Sequence, residues 1–281
     1  PVHVEQIWRY PVKSMVGGVV DSAELDARGI VGDRTWAVRD QVRGGVRGAK
    51  QLGGLMRCSA RYLDQPGGPV VITLPDGTNV STDEADAAEQ VSTAIDHEVT
   101  FEALRPPDDL EHYRRGQPYH DDVMDELRAV FGRTEDEPLP DLSLLPPVIF
   151  EYESPPGTYY DAFPLLLVTT SALRSLREAL PASAVDVRRF RPSLVIDTGD
   201  VAGHPEFDWV GRQVQVGAAV VEVTTGCPRC VMVTREIDGD VPQDRKILRH
   251  IVKELGQNVG VYANVSSPAT IRTGDPVSLL D

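Results

Sequence analysis

The sequence predicts a β-rich α+β fold, with strongly bent or barrel-like sheets in two regions and a few packed helices. Three observations point to it. Short runs of alternating apolar and polar residues recur along the chain, turn residues punctuate them, and few segments carry a helical apolar stripe. In 281 residues there are 24 Gly and 22 Pro, a supply that suits strands, turns and loops better than a helical bundle.

The elements follow in order. Val2 to Tyr10 alternates as a strand, which Pro11 ends because proline has no N–H for a sheet ladder. Lys13 to Gly18 is then a loop, so the first basic residue of interest stands just beyond a strand end. Strands near Val19–Leu25 and Thr35–Arg39 are joined through Gly29 and Gly32. Residues 43–54 hold five glycines among Arg43, Arg47 and Lys50. They lack the GxxxxGK[ST] spacing of a phosphate-binding loop, so a mobile surface loop is predicted. Pro75-Asp76-Gly77 lies between two β-rich runs and reads as a hairpin turn. Ser81 and Glu84 have capping-box spacing for a helix to about Ile95. A strand near Val99–Leu104 closes a first region, 1–104.

Residues 105–160 shift towards Pro, Asp, Glu and Tyr. They hold one amphipathic helix, with Val123, Leu127, Val130 and Phe131 on one face before Gly132, and are predicted to be an irregular, partly helical connector. The third region, 161–281, opens with a buried strand, Leu165–Thr169. Ser171 is placed to cap a helix carrying Leu173, Leu176 and Leu180. Strands are predicted at Ser193–Asp197, Gln213–Val216, Ala219–Val223 and Val231–Thr234. A helix follows over Asp244–Leu255, striped by Ile247, Leu248, Ile251 and Leu255, and the last strands lie near Val259–Val265 and Val277–Leu280.

Composition narrows the function. There are 28 basic and 43 acidic residues, a net charge of −15. Such a field repels phosphate backbones and anionic lipid, which argues against a nucleic-acid or membrane-surface partner. An anionic ligand then requires a local convergence of Lys and Arg. The longest compact apolar run, Phe163–Val168, is strand-sized, and the first residues show no secretory pattern. Three cysteines cannot make a disulfide framework, so a reducing, cytoplasmic location is expected.

Two constellations could carry chemistry. Cys227-Pro228-Arg229-Cys230 has CxxC spacing, which suits a redox pair, half a zinc site, a single thiolate on a soft metal, or two inert core cysteines. A complete zinc site lacks its second pair of ligands. Arg229 beside Cys230 would favour the thiolate. The second constellation is basic: Lys13 with Ser14, Arg34 after Asp33, and Arg191 ahead of Ser193, all at predicted strand ends, where loops can converge. Ordinary surface ion pairs are the alternative for each.

Tyr10-Pro11-Val12-Lys13-Ser14, Gly32-Asp33-Arg34-Thr35-Trp36, Phe190-Arg191-Pro192-Ser193, Cys227-Pro228-Arg229-Cys230 and Gly274-Asp275-Pro276-Val277 together resemble the MOSC family. The likeness is to its two-part members, with an N-terminal β-barrel region before the MOSC domain, and it spans nearly the whole chain except 105–160. It implies a MOSC-type bent β-barrel and a molybdenum cofactor, Mo-molybdopterin, with Cys230 as the protein ligand to the metal. It also implies that Lys13, Ser14 and Arg34 contact the pterin, that Arg191 and Ser193 lie near its phosphate, and that Tyr262 occupies another contact position. Ala162, Phe163 and Arg229 would be further cofactor contacts, with Asp161 an acidic residue close to the metal. Phe163 and Pro228 stand where small polar or hydroxyl side chains are expected.

The implied reaction is oxygen-atom transfer from a small N-hydroxylated substrate, two electrons and two protons releasing water, with Asp161 as the proton relay. A separate electron donor, such as a ferredoxin, flavoprotein or b-type cytochrome, is expected, since three cysteines cannot build a four-cysteine cluster and no GxGxxG fingerprint is present. The competing classes are a cofactor-binding or sulfur-carrier protein without its own turnover, and a non-catalytic binding module.

Overall fold

An eight-stranded sheet forms the frame of the molecule, in a computed structural model that describes residues 1–280. Its strands run in the order Val277–Leu279, Gln213–Val216, Ala219–Pro228, Asn258–Ser267, Leu165–Thr169, Leu194–Asp197, His3–Arg9 and Gly18–Val20. All neighbours are antiparallel except Leu165–Thr169 with Leu194–Asp197, a parallel pair joined by the crossover helix Thr170–Ala179. The N-terminal strand is thus interior to a sheet otherwise built largely from the last third of the chain.

The two longest strands, Ala219–Pro228 and Asn258–Ser267, slip register at three points: Val220/Val221, Val223/Thr225 and Gly226/Pro228. Bulges of this kind bend a strand and re-aim its side chains. The last one lies within the segment that carries Cys227. The end strands of the sheet do not pair with each other, so these bulges bend it without closing it into the expected barrel.

Three smaller sheets complete the β structure. Val99–Ala103, Trp36–Asp40 and Val46–Arg47 form one, and Ser59–Tyr62, Val70–Thr73 and Asn79–Ser81 another. In the last, Thr270–Arg272 pairs with Ser22–Asp26, which pairs with Gly29–Ile30. Among the described residues there are five α-helices, so the β-rich α+β class holds. Alternating burial along Val70–Thr73 and Gln213–Val216 shows each strand giving one face to a core. One core fills the N-terminal half and also takes in Met232, Ile237 and Val241; two others lie on the large sheet, one of them under helices Thr170–Ala179 and Arg245–Glu254.

Four local expectations change. Residues 43–54 are not a mobile surface loop. Val46, Arg47 and Ala49 are buried, Arg47 donates to Gln117 O, and the Ala49 N–H donates to Ser14 Oγ at 2.8 Å. The glycines serve close packing, since a Cβ on Gly45 would lie 2.4 Å from Gly116 N. Glu84 does accept the Ser81 N–H, at 3.2 Å, yet the helix starts only at Ala87. Thr169, not Ser171, caps the next helix by accepting the Ala172 N–H at 3.1 Å. Finally, Val231–Thr234 is a 3-10 turn rather than a strand, with Cys230 at its N-cap position.

Candidate functional site

Two arginines and a serine stand on unusual backbone. Ser14, Arg34 and Arg191 have φ of 69°, 48° and 56°, in the left-handed region, and only Asp96 and Gln257 share that feature among described non-glycine residues. Each costs on the order of 1–2 kcal/mol, which the surrounding structure must offset, and such strain gathers at sites where a side chain has to point one way. Here all three line one narrow slot of about 80 Å³ with Lys13, Asp161, Phe163, Ser193, Arg229, Cys230 and Tyr262. Residues from four separate motifs therefore meet. Of the predicted site residues, Ala162 alone lies outside the slot; it is buried and lines the neighbouring chamber.

At one end, Lys13 is buried and its Nζ donates to Asp161 Oδ1 at 2.7 Å and to Tyr159 O at 2.9 Å. Lys50 Nζ lies 3.2 Å from the other Asp161 oxygen. Burial alone would raise the Asp161 pKa, but the two ammonium groups outweigh it and hold the carboxyl well below the usual carboxylate range. Burial pulls Lys13 down, against the attraction of Asp161. Lys50 is pushed up because Asp161 and the Cys230 sulfur overcome its burial.

At the other end, the ring of Tyr10 carries two guanidinium groups, Arg34 at 4.8 Å and Arg191 at 4.5 Å from its centroid. Arg34 is ion-paired with Asp33. Arg191 has no carboxylate partner: its Nη1 donates to Met15 O at 2.7 Å, and its Nη2 is buried without a partner. Burial first, and then Arg34, lowers the Arg191 pKa to about 10. Arg229 is similar. It donates to Cys227 Sγ at 3.1 Å and to Phe190 O at 2.8 Å, while its Nε is buried and unpaired. Arg229 thus faces Cys227, not Cys230 as its neighbour in sequence suggests. Two buried guanidiniums without carboxylates, in a chain of net charge −15, make the slot a local reversal of the field, suited to an anion.

The hydroxyls of Ser14 and Ser193 accept the backbone N–H groups of Ala49 at 2.8 Å and Leu166 at 3.1 Å, which leaves each its own proton to donate. Burial, together with Cys227 and Asp161, pushes the Tyr262 pKa well above its ordinary value. Its ring packs on Phe163 with centroids 4.9 Å apart.

The three cysteines differ sharply. Cys58 is buried in the N-terminal core, and burial raises its pKa to about 11. Cys227 is buried, and burial raises its pKa despite Arg229. Cys230 is half-buried, and it lines both the slot and a second, larger chamber of about 500 Å³. Asp161, Pro228 and Tyr262 also line both.

Sequence reasoning passed over Lys50 and Tyr10 as site residues. Lys50 was visible as a cation in the glycine-rich stretch, but its role depends on that stretch being buried. Tyr10 stood in the first motif, and only the convergence of Arg34 and Arg191 shows its ring to be a platform. Among the described residues no helix is long and apolar enough to cross a membrane.

Comparison with known proteins adds to the geometry. Residues 2–115 match the MOSC N-terminal beta barrel domain and residues 155–278 the MOSC domain. Mitochondrial amidoxime-reducing component 1 of Mus musculus is 25% identical over 315 residues, which span 99% of this chain and 82% of that protein. Mitochondrial amidoxime reducing component 2 of Homo sapiens is 25% identical over 300 residues, 98% of this chain and 82% of its own length. Among solved structures, the YUAD protein from Bacillus subtilis aligns over 99% of this chain and 94% of its own with 11% identity and a TM-score of 0.44.

Proposed function

We propose, from the premise that this chain belongs to the MOSC family and carries both the N-terminal beta barrel domain and the MOSC domain, that it is a molybdenum-cofactor-dependent oxidoreductase reducing N-hydroxylated compounds. The family match and the relatives support a molybdenum-cofactor-associated function; the reaction is our inference. It rests chiefly on one observation: Cys230 is the half-buried thiol at which a basic slot meets an apolar chamber.

The residues present fit the cofactor. Cys230 offers a soft donor to the metal. The unpaired nitrogens of Arg191 and Arg229 await an anion such as the pterin's phosphate, with the Ser193 hydroxyl beside them. Lys13, Ser14, Arg34 and Tyr262 would orient the pterin, with Phe163 packed alongside and Ala162 on the chamber side. When bound, the cofactor supplies two-electron oxygen-atom transfer.

The chain's own part is positioning and proton supply. Asp161 is the group we assign as proton relay; Lys13 and Lys50 hold its pKa well below the usual carboxylate range. As a relay it would first accept a proton from the chamber and then pass it on, while Lys13 and Lys50 fix where the carboxylate stands. The region 1–104 would then supply most of the pterin-orienting residues, 105–160 most of the chamber wall, and 161–281 the thiolate, the phosphate site and Tyr262. Electrons would come from a separate donor, a ferredoxin, flavoprotein or b-type cytochrome, and the unpaired cysteines suit a reducing compartment such as the cytoplasm.

The test is to produce the chain in a host that makes the cofactor, measure molybdenum and assay benzamidoxime with a chemical reductant. Bound metal with sustained turnover is expected. Molybdenum-loaded protein without turnover would favour a carrier, and protein without molybdenum a binding module.

A further inference from the structure

The chamber beside Cys230 is walled largely by residues that lie between the two family matches, which end at 115 and resume at 155. Helix Val123–Phe131 has an apolar face of the kind that ordinarily packs on a core, yet none of its residues is buried. That face, through Val123, Leu127, Val130 and Phe131, lines the chamber, as do Ile149 and Phe150 of the turn Pro147–Phe150. Val123 is 71% exposed and Phe150 56%. Apolar surface held open to water forgoes roughly 25 cal/mol per Å² of stabilisation.

Polar clamps hold the wall in place instead. Asp122 caps the helix by accepting the Met124 N–H at 2.8 Å and the Asp125 N–H at 3.0 Å, and Arg249 binds both Gly132 O and Glu137 at its far end. Arg115 donates to Ile149 O at 2.9 Å and to Glu153 at 2.5 Å. The scaffold is thus fixed by hydrogen bonds and ion pairs, while its apolar side is only partly covered by protein and opens on the chamber. At about 500 Å³ the chamber is in the range that takes small organic ligands. Gln51, which also lines it, has a side-chain oxygen buried with no partner, an acceptor awaiting an N–H.

We propose that residues 118–150 form a preformed apolar chamber which selects substrates by their body: an N-hydroxylated head beside Cys230, with an uncharged aromatic or alkyl body against Leu127, Val130 and Phe150. The inference rests on the function proposed above but assigns selectivity to the wall, not to the cofactor slot.

The experiment uses benzamidoximes with a para substituent lengthened from methyl to butyl. Binding is followed by calorimetry and reduction by steady-state kinetics, on the molybdenum-loaded full chain. Each added methylene should lower both Kd and KM about fourfold while it remains inside the chamber. Leu127→Asn and Phe150→Ala should flatten that dependence to less than twofold per methylene, and so should Val123→Asp, placed on an exposed rim where folding is not at stake. A flat dependence in the unaltered chain, or variants with an unchanged slope, would overturn the chamber. If the compounds bind with the expected slope and none is reduced, the chamber stands and the reductase function falls. If all are reduced with a flat slope, the reverse holds.

Discussion

Replacing Arg191 by methionine keeps much of the side-chain volume and removes its charge, and the structure predicts effects of different size on folding and on binding. Three interactions matter to folding. The hydrogen bond to Met15 O, at 2.7 Å, is worth about 1.5 kcal/mol, and the stacking on Tyr10, at 4.5 Å, about 1 kcal/mol. Against these stands the burial of a charge without a carboxylate. A pKa held at about 10 in place of 12.5 corresponds to about 3 kcal/mol against the charged form. For a base whose folded pKa lies below its unfolded one, this penalty is fully present at every pH below the folded value, so neutral pH is the place to look. The opposing contributions nearly cancel, and cofactor-free Arg191→Met should match the unaltered chain to within about 1 kcal/mol in urea denaturation. Binding has no such compensation. Losing a charge-assisted contact of about 1.5–3 kcal/mol should weaken inorganic phosphate binding by calorimetry about 10- to 150-fold, and molybdenum content should fall with it. A variant destabilised by 3 kcal/mol or more that still loads fully would refute the reasoning and make Arg191 a structural residue.

Cys230→Ser should abolish molybdenum binding by metal analysis, while Cys227→Ser, altered at a buried thiol that accepts from Arg229 at 3.1 Å, should retain most of it; equal losses would favour a redox pair. In native protein, iodoacetamide should label Cys230 first by mass spectrometry and spare Cys58 and Cys227, which are buried and have raised pKa values. Equal labelling of Cys58 would contradict the packing of the N-terminal core. Asp40 is 1% exposed; burial would raise its pKa, but hydrogen bonds from Tyr119 and His97 and from two backbone N–H groups hold it at about 2. A lowered carboxyl pKa stabilises above its unfolded value near 3.8 and ceases to do so as pH falls towards 2. Asp40→Asn should therefore cost about 2 kcal/mol at pH 7, with the difference shrinking between pH 4 and pH 2; a constant gap across that range would show that charge is not the cause.

Much of the strand structure was legible in the sequence because β-rich runs are bounded by turn residues, even where, as in His3–Arg9, burial does not alternate strictly. His3–Arg9, Trp36–Asp40, Val99–Ala103 and Gln213–Val216 all lie where the pattern placed them. Parallel pairing and register were not legible, since they depend on partners far along the chain. Glycine-rich 43–54 misled because glycine marks both flexible loops and tight packing, and only the contacts of Gly45 and Ala49 separate the two. Val231–Thr234 misled because four apolar or β-branched residues suit a strand, whereas here they follow the bend at Pro228 and turn. In the site, motif order gave ten of the slot's residues, but Lys50 and Tyr10 depend on geometry. The apolar stripe of Val123–Phe131 was legible as a helix face; that it faces a cavity was not.

The strand His3–Arg9 lies between Leu194–Asp197 and Gly18–Val20, and Ser22–Asp26 is paired with Thr270–Arg272. During synthesis the first strand therefore emerges roughly two hundred residues before one of its neighbours exists, and a closure over that length is both entropically costly and slow. The two halves cannot mature in succession, one finished before the other begins. Lys13, Arg34 and Tyr10 are made early, Arg191 and Cys230 late, and Tyr262 later still. The slot comes into being only when residue 262 has joined the sheet, so any ligand it holds would meet a chain whose distant segments have already come together.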